Sequence, residues 1–255
     1  PNYQELLQEI GSQNLLTHRG VLYVWIDPRQ QPNPSQINIR SESGVEQIKL
    51  SGQEIRELEP NLSKQIQGGW HFPKAHHTLD PDLILKKLYQ SYLSRGGQFL
   101  KEEVSAIHPS EDLIQINNNQ FDQVVVCTGA FSKSMVKQIE GHFIPLETER
   151  GYHIEFIEKQ KLISRPTCLV ESGMYLTPLH NRLRAVGTVE LGGLHTKISQ
   201  ARINYIASDA KRLLPALQDY QNPWLGFRPT LPDCLPVLGN SPKFKTSFTP
   251  LVIII

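Results

Sequence analysis

The sequence predicts a mixed fold, part parallel α/β and part antiparallel sheet with helices (α+β), and three stretches carry that expectation. Phe121 to Ser132 holds three consecutive valines, Val124 to Val126, between polar residues and Thr128-Gly129. So short an apolar run reads as a central strand of a parallel sheet, buried on both faces. Tyr152 to Phe156, Gly173 to Pro178 and Arg182 to Val189 alternate apolar and polar residues, the pattern of half-buried antiparallel strands. Asp80-Pro81 opens the clearest helix, with Ile84, Leu85, Leu88 and Tyr92 on one face and Gly96-Gly97 at its end.

The remaining elements follow along the chain. Tyr3, Leu6, Leu7 and Ile10 repeat at helical spacing before Gly11, and Val21 to Ile26 reads as a strand ended by Asp27-Pro28. Gln30 to Gln36 is expected to be an exposed loop, then Gln36 to Arg40 and Val45 to Leu50 a strand pair turned at Ser41 to Gly44. Ser51-Gly52-Gln53-Glu54 is a capping box that opens a helix through Leu58, which Pro60 stops. Short strands are expected at Gln98 to Leu100, Val104 to Ile107 and Leu113 to Ile116, with a turn at Asn117 to Asn119. Ser132 is expected to cap a helix through Val136 and Ile139. His180-Asn181 turns between two strands, and a helix runs from about Ser199 to Leu214 before Pro215.

Composition bounds the function. With 255 residues, 39% hydrophobic and 20% charged, the chain has room for one large domain or two smaller ones. A net charge of +1, with Lys and Arg spread along the chain, leaves no electrostatic footprint for nucleic acid. Cys127, Cys168 and Cys234 form no Cys-x-x-Cys pair; this fits a reducing compartment, and a cytoplasmic location is expected. No apolar run approaches the roughly 20 residues of a membrane span. His71, His76 and His77 match no ligand spacing, so they read as surface histidines and no metal is expected.

Few residues stand out as chemistry. Gly129 can adopt a sharp turn and has no side chain to hold a ligand away, and ligands of open α/β sheets sit at the carboxyl ends of strands. Thr128, Gly129 and Ala130 therefore mark either a ligand edge or an ordinary strand-to-helix turn. Gly226 to Asp233 is too rich in turn formers to read as regular structure, yet apolar residues surround Arg228. That arginine presents a fork suited to a carboxylate, or else pairs with Asp233. Glu190 reads as a solvated strand-end carboxylate, and no Ser-His-Asp or Cys-His arrangement supports hydrolysis.

Several stretches in order resemble the D-amino-acid oxidase superfamily of FAD-dependent oxidoreductases, in its D-amino-acid dehydrogenase and glycine oxidase branch. They are Gly68-Gly69-Trp70 leading to Leu79-Asp80-Pro81, Val124 through Ser132, and Thr148-Glu149-Arg150-Gly151-Tyr152-His153. Met174-Tyr175-Leu176-Thr177-Pro178 with Arg182 to Thr188 follows, then Trp224 to Pro229 and Pro236 to Gly239. The resemblance implies a two-domain flavoprotein: a glutathione-reductase-like FAD domain, here from residues 62–139 and 226–255, and an antiparallel-sheet substrate domain from residues 1–61 and 140–225. It implies that Arg228 binds the carboxylate of an amino-acid substrate, that Tyr175 lines the same pocket, that the backbone at Val104 meets the adenine, and that Thr128, Gly129 and Ala130 approach the flavin. The implied reaction passes a hydride from a D-amino acid or similar small amine to FAD, giving the imino acid, with no side chain as acid or base.

The sequence departs from the family pattern in one respect: it contains no Gly-x-Gly-x-x-Gly turn to place a pyrophosphate at a helix N-terminus. The expectation is therefore a fragment of such an enzyme, its FAD domain completed by missing segments or a partner chain. A non-catalytic remnant and a carboxylate-binding module remain the alternatives. The apolar run Leu251 to Ile255 is expected to lie as a strand beside Val124 to Val126 or to pair with another chain, since an isolated apolar strand is costly in water.

Overall fold

The computed structural model describes residues 2–110, 113–141, 143–157, 160–241 and 251–254, with Asn2 and 251–254 described through their backbone alone. The chain divides into two compact units. The first comprises Pro1–Phe99, Tyr152–Thr188 and Ile198–Trp224, the second Leu100–Gly151, Val189–Lys197 and Leu225–Ile255. Residues 62–99, grouped above with the FAD half, thus cluster with residues 1–61.

A mixed sheet, most of it drawn from the first unit, has the strand order Gln221–Thr230, Glu147–Ile157, Arg182–Leu191, Met174–Leu179, Thr167–Leu169, Val21–Trp25, Gly68–Phe72 and Ile48–Ser51. Thr167–Leu169 runs parallel to Val21–Trp25, whereas Thr167–Leu169 with Met174–Leu179, Met174–Leu179 with Arg182–Leu191, Val21–Trp25 with Gly68–Phe72, and Gly68–Phe72 with Ile48–Ser51 are antiparallel. Alternation sorts the side chains: Leu22, Val24, Leu176, Leu183 and Ala185 are buried, and the helix Gln200–Leu213 packs on Met174–Leu179 through a face containing Ile203, Ile206, Ala210 and Leu213. Leu7, Leu15 and Ile84 make a smaller core between the helices Asn2–Glu9 and Pro81–Ser94. Local chemistry sets the helix starts, with Ser51 and Glu54 closing a reciprocal capping box and Asp80 accepting from the Leu83 N–H at 3.1 Å.

The second unit has two small sheets. Ile107–Pro109, Ile114–Ile116 and Asn119–Phe121 form an antiparallel meander. Val124–Val126 pairs in parallel with Leu251–Ile254, which pairs antiparallel with Leu238–Asn240. The apolar run therefore lies beside the valines, the first of the two expected arrangements; Ile255 falls outside the described residues. The helix Ser132–Glu140 buries Val136 and Ile139, and Ile139 joins Ile107, Ile114, Val124 and Val126 in the core.

Several local expectations are corrected. Pro34–Glu42 is a helix, not a strand: Asn33 accepts from the Gln36 N–H at 2.9 Å while the Gln36 side chain reaches back, with Pro34 in the first turn. Gln221–Thr230 is a strand in spite of Pro223 and Pro229; it lies at the edge of its sheet among the described residues, the position where proline is tolerated because alternate N–H groups have no ladder bond to make. Val124–Val126 is an edge strand among the described residues, with Val125 55% exposed, so only one face is buried. Ser132 is the first residue of its helix and not its cap; its hydroxyl shares a 2.9 Å hydrogen bond with Thr128.

Two half-buried histidines tie stability to pH. Burial first, then the charge of Lys161, lowers the pKa of His77 to about 4. Burial and then Arg184 lower that of His153 to about 4, against the opposing charge of Glu155. The unfolded chain protonates these rings near their ordinary 6.5, so between that pH and about 4 it binds protons that the folded state refuses. Stability is expected to fall as pH falls through this window and to level off, for these two groups, below it. Urea denaturation at fixed ionic strength checks this; a midpoint constant from pH 7 to pH 5 would refute it.

Candidate active site

In the second unit the strand Val124–Val126 leads into Thr128, which is exposed, then Gly129 at φ +55°, then Ala130, which is 6% exposed. A Cβ on Gly129 would meet nothing within 4 Å, so its need for glycine lies in the left-handed backbone. Val104 sits in an extended segment tied down on either side by one asparagine. Asn117 accepts from the Ser105 N–H at 3.0 Å and donates to the Glu103 carbonyl at 2.9 Å. The backbone N–H and carbonyl of Val104 have no hydrogen-bond partner among the described residues.

Arg228 is exposed on the edge strand Gln221–Thr230 and makes no ion pair or hydrogen bond among the described residues. The anticipated pairing with Asp233 does not form; that carboxylate accepts from the Leu235 N–H at 3.1 Å instead. The guanidinium lies over Gly151, where an added Cβ would stand 2.9 Å from Nη2 and 3.0 Å from Cζ. Glycine at 151 is thus what lets the fork lie flat against the backbone. By contrast Arg150 is wholly buried, donating to the Thr196 and Lys197 carbonyls at 2.7 and 2.9 Å and facing Glu190 at 3.4 Å. Glu190 is therefore part of an internal ion pair, not a solvated strand end.

Tyr175, in the first unit, lies on Met174–Leu179 opposite Cys168. Its hydroxyl is hydrogen-bonded to that of Tyr23, and the two rings meet edge to face at 5.8 Å. Burial, then the bond to Tyr23, raises the Tyr175 pKa far above the ordinary phenol range, so the ring stays neutral. Burial likewise pushes the Cys168 thiol up to about 12, which removes it as a nucleophile.

Tyr23 and Tyr175 line a 560 Å³ cavity with Val21, Arg40, Val45, Phe72 and others. Arg40, from the helix Pro34–Glu42, stacks over Phe72 and Tyr23 with Cζ 5.3 and 5.7 Å from the ring centroids. Reading 36–40 as a strand hid it; the Asn33-Pro34-x-Gln36 cap was the available signal. His71 lies on a strand and His77 is half-buried, so the histidines are not simply a surface loop. No cluster able to hold a metal ion is present among the described residues, nor any helix long and apolar enough to cross a membrane.

The sequence matches the model of a family described as "DAO: FAD dependent oxidoreductase" over residues 1–252. Among curated relatives, a D-amino-acid oxidase of Bradyrhizobium diazoefficiens is 27% identical over 250 residues, covering 94% of this chain and 59% of that protein. A D-amino acid dehydrogenase of Neisseria gonorrhoeae is 29% identical, covering 80% of this chain and 51% of its own. The chain thus spans little more than half the length of these relatives. Among solved structures, glycine oxidase from Bacillus cereus superposes with a TM-score of 0.82 at 20% identity, covering 98% of this chain and 70% of that one. L-proline dehydrogenase from P. horikoshii gives 0.80 at 17%, with the same coverages. These likenesses bear out the mixed flavoprotein fold.

Proposed function

Because the chain belongs to the DAO family of FAD-dependent oxidoreductases, which it matches from residue 1 to 252, we propose that the protein oxidises a D-amino acid or a similar small amine to the imino acid. The observation that carries this reading is Arg228, an exposed fork with no side-chain partner among the described residues, held flat over Gly151. A guanidinium in that state is ready to take both oxygens of a carboxylate. In this reading Arg228 fixes the substrate carboxylate, and Tyr175, kept neutral and oriented by Tyr23, bounds the substrate pocket.

FAD supplies the two-electron acceptor for the hydride that leaves the α-carbon. The protein's part is positioning, which accounts for the lack of an acid or base in the proposed set. A substrate amine that entered neutral could assist loss of the α-hydrogen through its nitrogen lone pair, and the N–H proton could then pass to water, so no protein base would be required. The residues fit the cofactor at its two ends. Val104 offers an unsatisfied backbone edge to the adenine, and Thr128, Gly129 and Ala130 offer an unobstructed turn to the flavin. The residues 231–255 and 100–139 would then belong to the cofactor half and the mixed sheet to the substrate half. Three free cysteines fit a cytoplasmic setting.

No Gly-x-Gly-x-x-Gly turn is present to cradle the pyrophosphate, which favours a second reading: the chain is one part of an FAD-binding unit completed by further segments or another polypeptide. Visible absorbance separates the two. The 255-residue chain mixed with FAD is expected to retain little flavin after gel filtration. A stoichiometric yellow protein would remove the second reading. A protein that takes up no flavin and turns over no amino acid, even with an FAD-binding segment supplied, would remove the first.

A further inference from the structure

Arg40 is the charged group that the proposed reaction leaves unused. The cavity it lines has apolar walls from Val21, Val45, Phe72 and Tyr23. Its volume of 560 Å³ lies within the roughly 300–1,000 Å³ typical of small-molecule sites. Three charged residues line it, and two cancel: Lys74 Nζ is 3.2 Å from the Glu46 carboxylate. Arg40 remains. Its Nη1 is buried without a hydrogen-bond partner, and no other hydrogen bond of the guanidinium occurs among the described residues. The aromatic rings of Phe72 and Tyr23 attract the flat face of the cation, but its donors lie in the plane and call for an acceptor that the rings do not provide. A buried, charged donor left without an acceptor is costly. An anion on a short apolar stem would satisfy both the donors and the walls.

We propose that this cavity receives the side chain of the substrate and that Arg40 binds a carboxylate at its end, so that the preferred substrate is an amino acid with an acidic side chain. The inference rests on the reading of Tyr175 as a substrate-pocket residue, since Tyr175 lines this same cavity. Arg40 then sets the side-chain preference. Arginine suits this better than lysine would, because its planar fork engages both oxygens while its face stays on the rings.

The first arm of the test is binding without turnover. Calorimetry of the 255-residue chain with butyrate and with butyramide, which match in size, is expected to show butyrate at least tenfold tighter. Arg40→Ala abolishes that difference and Arg40→Lys keeps part of it. Arg40→Gln, which keeps most of the stem, guards against a folding defect in the alanine variant. The second arm compares kcat/KM for D-glutamate and D-glutamine in protein loaded with flavin after an FAD-binding segment is supplied; a preference of at least tenfold for D-glutamate, lost in Arg40→Ala, is expected. Equal binding of butyrate and butyramide, or binding indifferent to Arg40, overturns the proposal, as does equal oxidation of D-glutamate and D-glutamine. Arg40-dependent butyrate binding with no turnover of any amino acid overturns the proposed reaction instead, and leaves the anion site standing.

Discussion

Replacing Arg228 by alanine in protein completed by an FAD-binding segment and loaded with flavin is expected to lower kcat/KM for amino acids roughly tenfold to 150-fold, the kinetic equivalent of a charge-assisted contact of about 1.5–3 kcal/mol. Folding stability should hardly move, because the side chain is exposed and has no partner among the described residues, and such surface changes usually stay within about 0.5 kcal/mol. The geometry supplies a second variant that leaves the arginine in place. Gly151→Ala puts a methyl group 2.9 Å from Nη2, and the flexible tip must swing aside to admit it. The same kinetic loss in smaller measure, again at nearly constant melting temperature, is the expected result. Parallel losses of stability and activity in Arg228→Ala would mean a structural arginine, and unchanged kinetics in both variants would mean that the carboxylate binds elsewhere.

How far the sequence foretold the structure depended on the range of the interactions involved. Caps built from neighbours were legible: Ser51 with Glu54, and Asp80 before Pro81, mark helix starts within a few residues of sequence. The Asn33-Pro34-x-Gln36 cap uses the same chemistry. It was obscured because Ile37 and Ile39 alternate with polar residues like a strand, although Ile39 is 62% exposed on its helix. The strand Gln221–Thr230 was hidden for a different reason. Its prolines forbid a central position, not an edge one, and edge or centre is a property of the sheet, not of the segment. The valines at 124–126 were found, but their burial was not, since it depends on what covers Val125.

The same distinction runs through the candidate site. Arg228 could be singled out from its apolar surroundings, while its freedom from Asp233 depended on where a turn sends that carboxylate. Tyr175 was placed by resemblance alone. Its partner Tyr23 is 152 residues away, and no local pattern announces a contact of that range. Arg40 escaped for both reasons at once: its helix was misread, and the rings beneath it come from two separate strands, Val21–Trp25 and Gly68–Phe72.

The largest loss of stability is expected from Glu155→Ala. Glu155 is 7% exposed within the first unit. Its carboxylate accepts from Arg182 Nε at 3.0 Å, from Arg184 Nη2 at 2.9 Å and from the Asn222 amide at 3.3 Å. Burial alone would raise its pKa, but the bonds from Arg184, Arg182 and Asn222 outweigh burial and hold it below the usual carboxylate value. Removing the carboxylate leaves two guanidinium groups, 20% and 25% exposed at the side chain, close together with no common counter-charge. Arg182 keeps a 3.5 Å contact with Asp80, which softens its loss; no second carboxylate faces Arg184 among the described ion pairs. Breaking a buried pair from one side costs about 3–5 kcal/mol, and the partial exposure of the arginines places this variant toward the lower figure. Glu155→Gln, which keeps the size and one acceptor oxygen, should lose less. The double variant Glu155→Ala with Arg184→Met should recover part of the stability by removing the stranded charge. Urea denaturation of the set decides the matter: if the double variant is no more stable than Glu155→Ala, the cost does not come from the unpaired arginine.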